Sequence, residues 1–336
     1  MNRNININFD CQKEAIITFQ EKKKDNYVVK LFNSQLNHYN YIVFLNNFLN
    51  IIVYNIDISE TANEIINDNF SCNCFFDYTF DYKNNKDLLL YRACEKDNHN
   101  IKIYDLETSE LFLEIKNLNS FNYLDFSILT IIDEKNYLIV ASNNSYKGKK
   151  SENVKIIDFN KNLIHNIENT NLKTFFIINH NDGKFNYIII GNEKTTIAYI
   201  YKLKSLLIHY DFKKEDENKL GDNINGALFV NNNNVLLIIQ YSFGAFRIWN
   251  FNNPELLKKF DLKIFGILPF CLVNENQFLF HIDREMRVMD LRNCQDNQTI
   301  KYDTEVKKIE TIFISKYGSL CIIIQDTDGF VKIYSQ

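Results

Sequence analysis

The stretch IKIYDLETSELFLEI, from Ile101 to Ile115, decides the fold. Apolar residues alternate with polar ones up to Tyr104, Asp105 follows, and after a short polar gap a second apolar ribbon begins at Leu111. Alternation with a period of two marks a strand and not a helix. A close copy, FRIWNFNNPELLKKF, runs from Phe246 to Phe260. Weaker copies are IIVYNIDISETANEII (Ile51 to Ile66), VKIIDFNKNLIHNI (Val154 to Ile167) and MRVMDLRNCQDNQTI (Met286 to Ile300). IAYIYKLKSLLIHY (Ile197 to Tyr210) is degenerate, and GFVKIY is the last.

The bulky residues that end these ribbons are Tyr54, Tyr104, Ile157, Tyr201, Trp249, Met289 and Tyr334. Their spacing of roughly 40 to 53 residues suits four-stranded propeller blades. A further apolar run precedes most copies, as in YLIVAS (Tyr137 to Ser142), VLLIIQ (Val235 to Gln240) and FLFHI (Phe278 to Ile282). These read as second strands, and their near-continuous apolarity fits sheets covered on both faces. The expected third strands lie near 51–56, 101–105, 154–158, 197–202, 245–250, 286–290 and 330–334. The expectation is one all-β domain over residues 1–336: a single closed β-propeller of seven four-stranded blades. The ribbon at Ile333 and Tyr334 has no successor, whereas Glu14 to Gln20 (EAIITFQ) is a surplus strand. Pairing the two would complete the last blade and remove exposed edges.

The copies resemble WD repeats. Tyr104-Asp105 and Trp249-Asn250 stand where that family has Trp-Asp, and Asp158 and Asp290 keep the acidic half. Asp328-Gly329 resembles the family's hairpin turn, with Asp97-Asn98 and Asp283 at similar places. The chain has no Gly-His dipeptide, so the family's His, Asp, Ser or Thr, and Trp hydrogen-bond tetrad is incomplete in every blade. Apolar packing must then carry more of the stability.

Composition agrees with strands. The chain has 28 Phe and 19 Tyr against 9 Gly and 2 Pro, and aromatic and β-branched residues favour a pleated, half-buried surface. With so little Gly, Asn is expected to fill the left-handed turn positions. A net charge of −4 argues against a general nucleic-acid binder. Seven scattered Cys suggest no disulfide framework. MNRNININFD lacks the apolar run of a signal peptide, and no window has eighteen uninterrupted apolar residues. A soluble protein of a reducing compartment, cytoplasmic or nucleocytoplasmic, is expected.

Chemistry-bearing motifs are sparse. Cys72-Asn73-Cys74 has no second pair or His cluster at zinc spacing, so these cysteines read as small apolar fillers. His281 alternates with Phe280 and Ile282 and reads as a satisfied core residue. No glycine-rich phosphate loop, G-x-S-x-G or H-E-x-x-H is present. No cofactor, metal or catalytic residue is therefore expected, and a small-molecule ligand is not. Three lysine-bearing segments fall where the resemblance places exposed loops: Lys22, Lys23 and Lys24; Lys147, Lys149 and Lys150; and Lys213 to Asn223. They read as solvated insertions or as loops steering an acidic partner protein. The expected function is a non-catalytic protein-interaction scaffold. The alternative is a phosphoinositide-binding propeller of the autophagy type, whose Phe-Arg-Arg-Gly motif the chain lacks.

Overall fold

The computed structural model describes residues 17–20, 30–45, 50–65, 75–94, 99–115, 124–132, 135–142, 154–167, 174–181, 186–192, 195–202, 205–213, 224–231, 235–241, 245–262, 269–292, 295–314, 319–327 and 330–335. Every regular element among them is a strand. After β1 (Ile17–Gln20), blade 1 comprises β2 (Lys30–Asn33), β3 (Asn40–Leu45), β4 (Ile51–Asn55) and β5 (Glu60–Ile65). Blade 2 is β6 (Phe75–Asp81), β7 (Lys86–Cys94), β8 (His99–Asp105) and β9 (Leu111–Ile115). Blade 3 is β10 (Leu124–Ile132), β11 (Lys135–Ser142), β12 (Val154–Asp158) and β13 (Leu163–Ile167). Blade 4 is β14 (Thr174–Asn181), β15 (Asn186–Asn192), β16 (Thr195–Lys202) and β17 (Ser205–Lys213). Blade 5 is β18 (Ile224–Asn231), β19 (Val235–Tyr241), β20 (Ala245–Asn250) and β21 (Glu255–Asp261). Blade 6 is β22 (Phe270–Asn274), β23 (Gln277–Ile282), β24 (Glu285–Asp290) and β25 (Gln295–Lys301). The last sheet holds β26 (Val306–Ile314), β27 (Ser319–Asp326) and β28 (Phe330–Ser335), with β1 at its edge.

The expectation of seven four-stranded blades is corrected in one respect. Six blades, not seven, are complete within one uninterrupted run of chain. The remaining sheet has three contiguous strands and reaches four only through β1, by the pairs Ile17↔Ile333, Thr18↔Lys332, Phe19↔Val331 and Gln20↔Phe330. In that sheet β27 lies between β26 and β28, and the fourth place, beside β28, falls to the distant β1. Residues 14–16 of the expected closing strand lie outside those described.

First strands of successive blades lie against one another, β6 on β10, β14 on β18 and β22 on β26 among them. The core lies in the seams between sheets. Leu89 and Tyr91 pack toward blade 1, while Leu88 and Leu90 of the same strand pack toward blade 3. Alternation thus sends one apolar run into two seams, which explains why the second strands lack a polar face. Ile42, Phe44 and Ile52 of blade 1 pack on Cys321, Ile323 and Ile333 of the last sheet, closing the ring.

The bulky third-strand residues have a shared role. Tyr104, Ile157, Met289 and Tyr334 each plug the seam to the preceding blade. In six blades the register of third and fourth strands shifts just before this residue, at Val53/Tyr54, Ile103/Tyr104, Ile156/Ile157, Ala198/Tyr199, Ile248/Trp249 and Val288/Met289. A bulge there bends the strand and increases its twist. In blade 4 it selects Tyr199, not the expected Tyr201. Pairing continues past it to Lys202↔Ser205. The two tyrosines are two apart, so alternation alone cannot separate them.

Candidate functional site

Turns joining first to second strands and turns joining third to fourth strands share one end of the sheets. In blades 1 to 3 these turns are held by short side chains. Asn55 Oδ1 accepts the backbone N–H groups of Asp57 (3.0 Å) and Ile58 (3.2 Å), and Asp105 Oδ1 accepts that of Glu107 (2.9 Å). Asp158, Asn250 and Asp290 do the same for Asn162, Asn252 and Arg292. The acidic half of the Trp-Asp position is therefore a turn cap, the local side-chain-to-backbone bond that short polar residues favour.

Left-handed backbone falls elsewhere, at His38, Ser59, Asn85, Ser109, Lys161, Asp283 and Arg284. The expectation that Asn would fill such positions is corrected: among the described residues only Asn85 does. Most Asn and Asp at these turns act through their side chains. The expected hairpin at Asp283 is present as a two-residue turn, Asp283-Arg284, between paired Ile282 and Glu285. Asp328-Gly329 and Asp97-Asn98 lie outside the described residues.

Blade 1 is clasped to blade 2 through Asp87. Its carboxylate accepts the Ser34 hydroxyl, the Tyr78 hydroxyl at 2.6 Å and the Gln35 backbone N–H at 3.3 Å. Tyr78 lies flat on Phe32, with ring centroids 4.2 Å apart and an interplanar angle of 9°. Burial first, and then the bond to Asp87, raises the Tyr78 phenol above its ordinary pKa. Asp105 pairs with Lys86. Burial would raise its carboxyl, but the Lys86 ammonium and the Glu107 N–H hold it below the ordinary carboxylate range.

Two clefts open on this end. One, of about 280 Å³ between blades 1 and 2, is lined by Leu36, Tyr41, Asn63, Leu106 and Glu107. The other, of about 590 Å³ between blades 2 and 3, has an apolar floor of Phe112, Phe159 and Ile164. Only the larger falls within the roughly 300–1,000 Å³ usual for binding pockets. Of the large apolar side chains exposed among the described residues, Leu36, Tyr39, Ile58, Tyr82, Leu111 and Leu163 sit at or next to turns of blades 1 to 3; Leu257 is the exception. The sequence reading missed this cluster. The signal was present in the hydrophobic residues inside otherwise polar turns, such as Ile58 and Tyr82.

At the opposite strand ends, second strands carry buried Arg92, Gln240, His281 and Gln325. His281 is buried as expected but not fully satisfied. Its ring meets Tyr302 edge-on at 6.1 Å, and Nε2 has no hydrogen-bond partner. Burial lowers its pKa below the usual value, against an opposing hydrogen bond to the Tyr302 backbone and the nearby Glu305 and Asp283. Lys22, Lys23, Lys24, Lys147, Lys149, Lys150, residues 214–223, and Cys72 and Cys74 lie outside the described residues, so the structure brings none of them together. Among the described residues, no three His, Cys, Asp or Glu side chains converge as metal ligands. None of the described residues forms a helix long and apolar enough to cross a membrane.

No protein-family model and no curated protein matches the chain. Its backbone is similar to the crystal structure of the WD40 β-propeller domain of Doa1, with a TM-score of 0.62, 12% identity, and 96% of each chain covered. It is also similar to the Dos1 propeller, with a TM-score of 0.64 and 13% identity over 96% of this chain and 95% of that one. The chain has the WD40 β-propeller fold. With 1123 solved chains matching, that fold by itself selects no function.

Proposed function

We propose that the protein is a non-catalytic interaction platform that meets partner proteins through the turn end of blades 1 to 3. One observation carries the reading: six of the exposed large apolar side chains, among them Leu36, Ile58 and Tyr82, gather on that end. Exposed apolar groups that cluster, instead of scattering singly, mark contact surfaces. The capped turns and the Asp87 clasp hold these side chains on a rigid frame, which lowers the ordering cost of association. The lysines Lys147, Lys149 and Lys150, between β11 and β12 in the chain, form a second, electrostatic element of the proposal.

Affinity purification with mass spectrometry tests it on the full chain. Ile58→Asp with Tyr82→Glu should release partners that the wild type retains. Charge reversal at Lys147, Lys149 and Lys150 should weaken capture at low salt. A wild-type chain that retains no partner, or a double variant that retains all of them, ends the proposal.

A further inference from the structure

We infer that the cleft between blades 2 and 3 binds an extended peptide segment of a partner, with one or two large apolar side chains flanked by carboxylates. The inference rests on the platform reading and adds the partner's chemistry. Phe112 and Phe159, with ring centroids 6.2 Å apart, and Ile164 form a half-buried apolar floor. Tyr82, Leu111 and Leu163 adjoin the lining residues in sequence and are exposed by 55, 48 and 54%. An apolar floor continued by exposed apolar neighbours gains most from covering by apolar side chains.

The charges set the flanks. Lys83 and Lys135 line the cleft, are exposed, and make no ion pair among the described residues. The two lining carboxylates are already engaged by their own turns. Asp81 accepts the backbone N–H of Lys83 at 3.1 Å and the Asn84 side-chain amide at 2.6 Å. Asp158 accepts both the backbone N–H and the side-chain amide of Asn162, at 2.8 and 3.0 Å. The two cations are thus the groups left to meet charge on an incoming chain, and they favour an acidic one. Asn136 and Asn160, also in the lining, offer amides for its backbone. The smaller cleft between blades 1 and 2 is lined by the exposed Glu107 and lacks a lysine, so it is the wrong sign for such a segment.

The test uses the full chain and an immobilised library of hexapeptides. Its central pair is drawn from Leu, Ile, Phe and Tyr, and its flanks are all Asp, all Asn or all Lys. Acid-flanked members should bind at least about tenfold tighter than lysine-flanked ones, and less tightly as salt rises. Lys83→Glu with Lys135→Glu should abolish that preference, and Leu163→Asp should weaken binding of every flank class. Lys301→Glu, on blade 6, should change nothing. No binding, equal binding of acidic and basic flanks, or a preference that survives Lys83→Glu with Lys135→Glu would each overturn the assignment. Partner capture by the wild type separates the two readings. If the library shows no acidic preference while purified wild type still retains partners, the cleft assignment fails and the platform stands. If wild type retains none, the platform fails, and the library alone decides the cleft.

Discussion

Ser34 of blade 1 donates its hydroxyl to the carboxylate of Asp87 in blade 2, a residue 53 positions further along the chain. Both side chains are buried. Ser34 Oγ also accepts the backbone N–H groups of Leu36 and Asn37, each at 3.1 Å. One buried bond therefore links a turn cap to the neighbouring blade and holds Leu36 where it is exposed.

Asp87→Ala would strand the buried Ser34 hydroxyl and the half-buried Tyr78 hydroxyl, so it should cost about 3 kcal/mol of stability. Asp87→Asn keeps an acceptor and should cost about 1 kcal/mol. Urea unfolding measures both, with an unchanged m-value expected. Equal losses for the two variants would contradict the hydrogen-bond account.

Asp105 has a lowered pKa in the fold, so its pairing with Lys86 stabilises the protein above the unfolded value near about 3.9. That contribution disappears as pH falls through the folded pKa. Asp105→Asn keeps a turn acceptor but not the charge. It should flatten the dependence of stability on pH below about 4. Fluorescence of Trp249, the single tryptophan, gives the readout.

His281 has the opposite chemistry and a related sign. Burial depresses its pKa, so the unfolded chain takes up a proton near about 6.5 that the folded blade does not. Stability should therefore fall as pH drops from about 6.5 and level off below the folded pKa. His281→Gln should remove that slope; an identical slope in the variant would assign it to other groups.

Removing residues 1–20 takes away β1 and leaves the last sheet with three strands. Amide exchange across Phe330–Ser335 should then accelerate by at least about tenfold, since a newly exposed edge opens locally. Exchange in blade 3, away from the closure, should change much less. Uniform acceleration would instead mean that the ring unfolds as a unit.

Strand positions were legible because alternation is written along the chain. Tyr104-Asp105 and Trp249-Asn250 could be seen as strand ends without any coordinates. Tyr199 could not be chosen over Tyr201, since the two stand two positions apart in one alternating run and only pairing register distinguishes them. The exposed apolar residues of blades 1 to 3 were missed for a similar reason. Lysine-rich segments stand out in composition, whereas Leu36, Ile58, Tyr82 and Leu163 are single apolar residues scattered over some 130 positions and united only by folding.

From its sequence alone the protein was committed to strands in groups, with bulky residues closing them, because local sterics and a period of two need no distant partner. The tertiary structure decided which seam each face fills, which end pairs with β28, and which exposed side chains become neighbours. Those outcomes depend on contacts between residues some fifty positions apart, whose free energy exists only once the ring has closed.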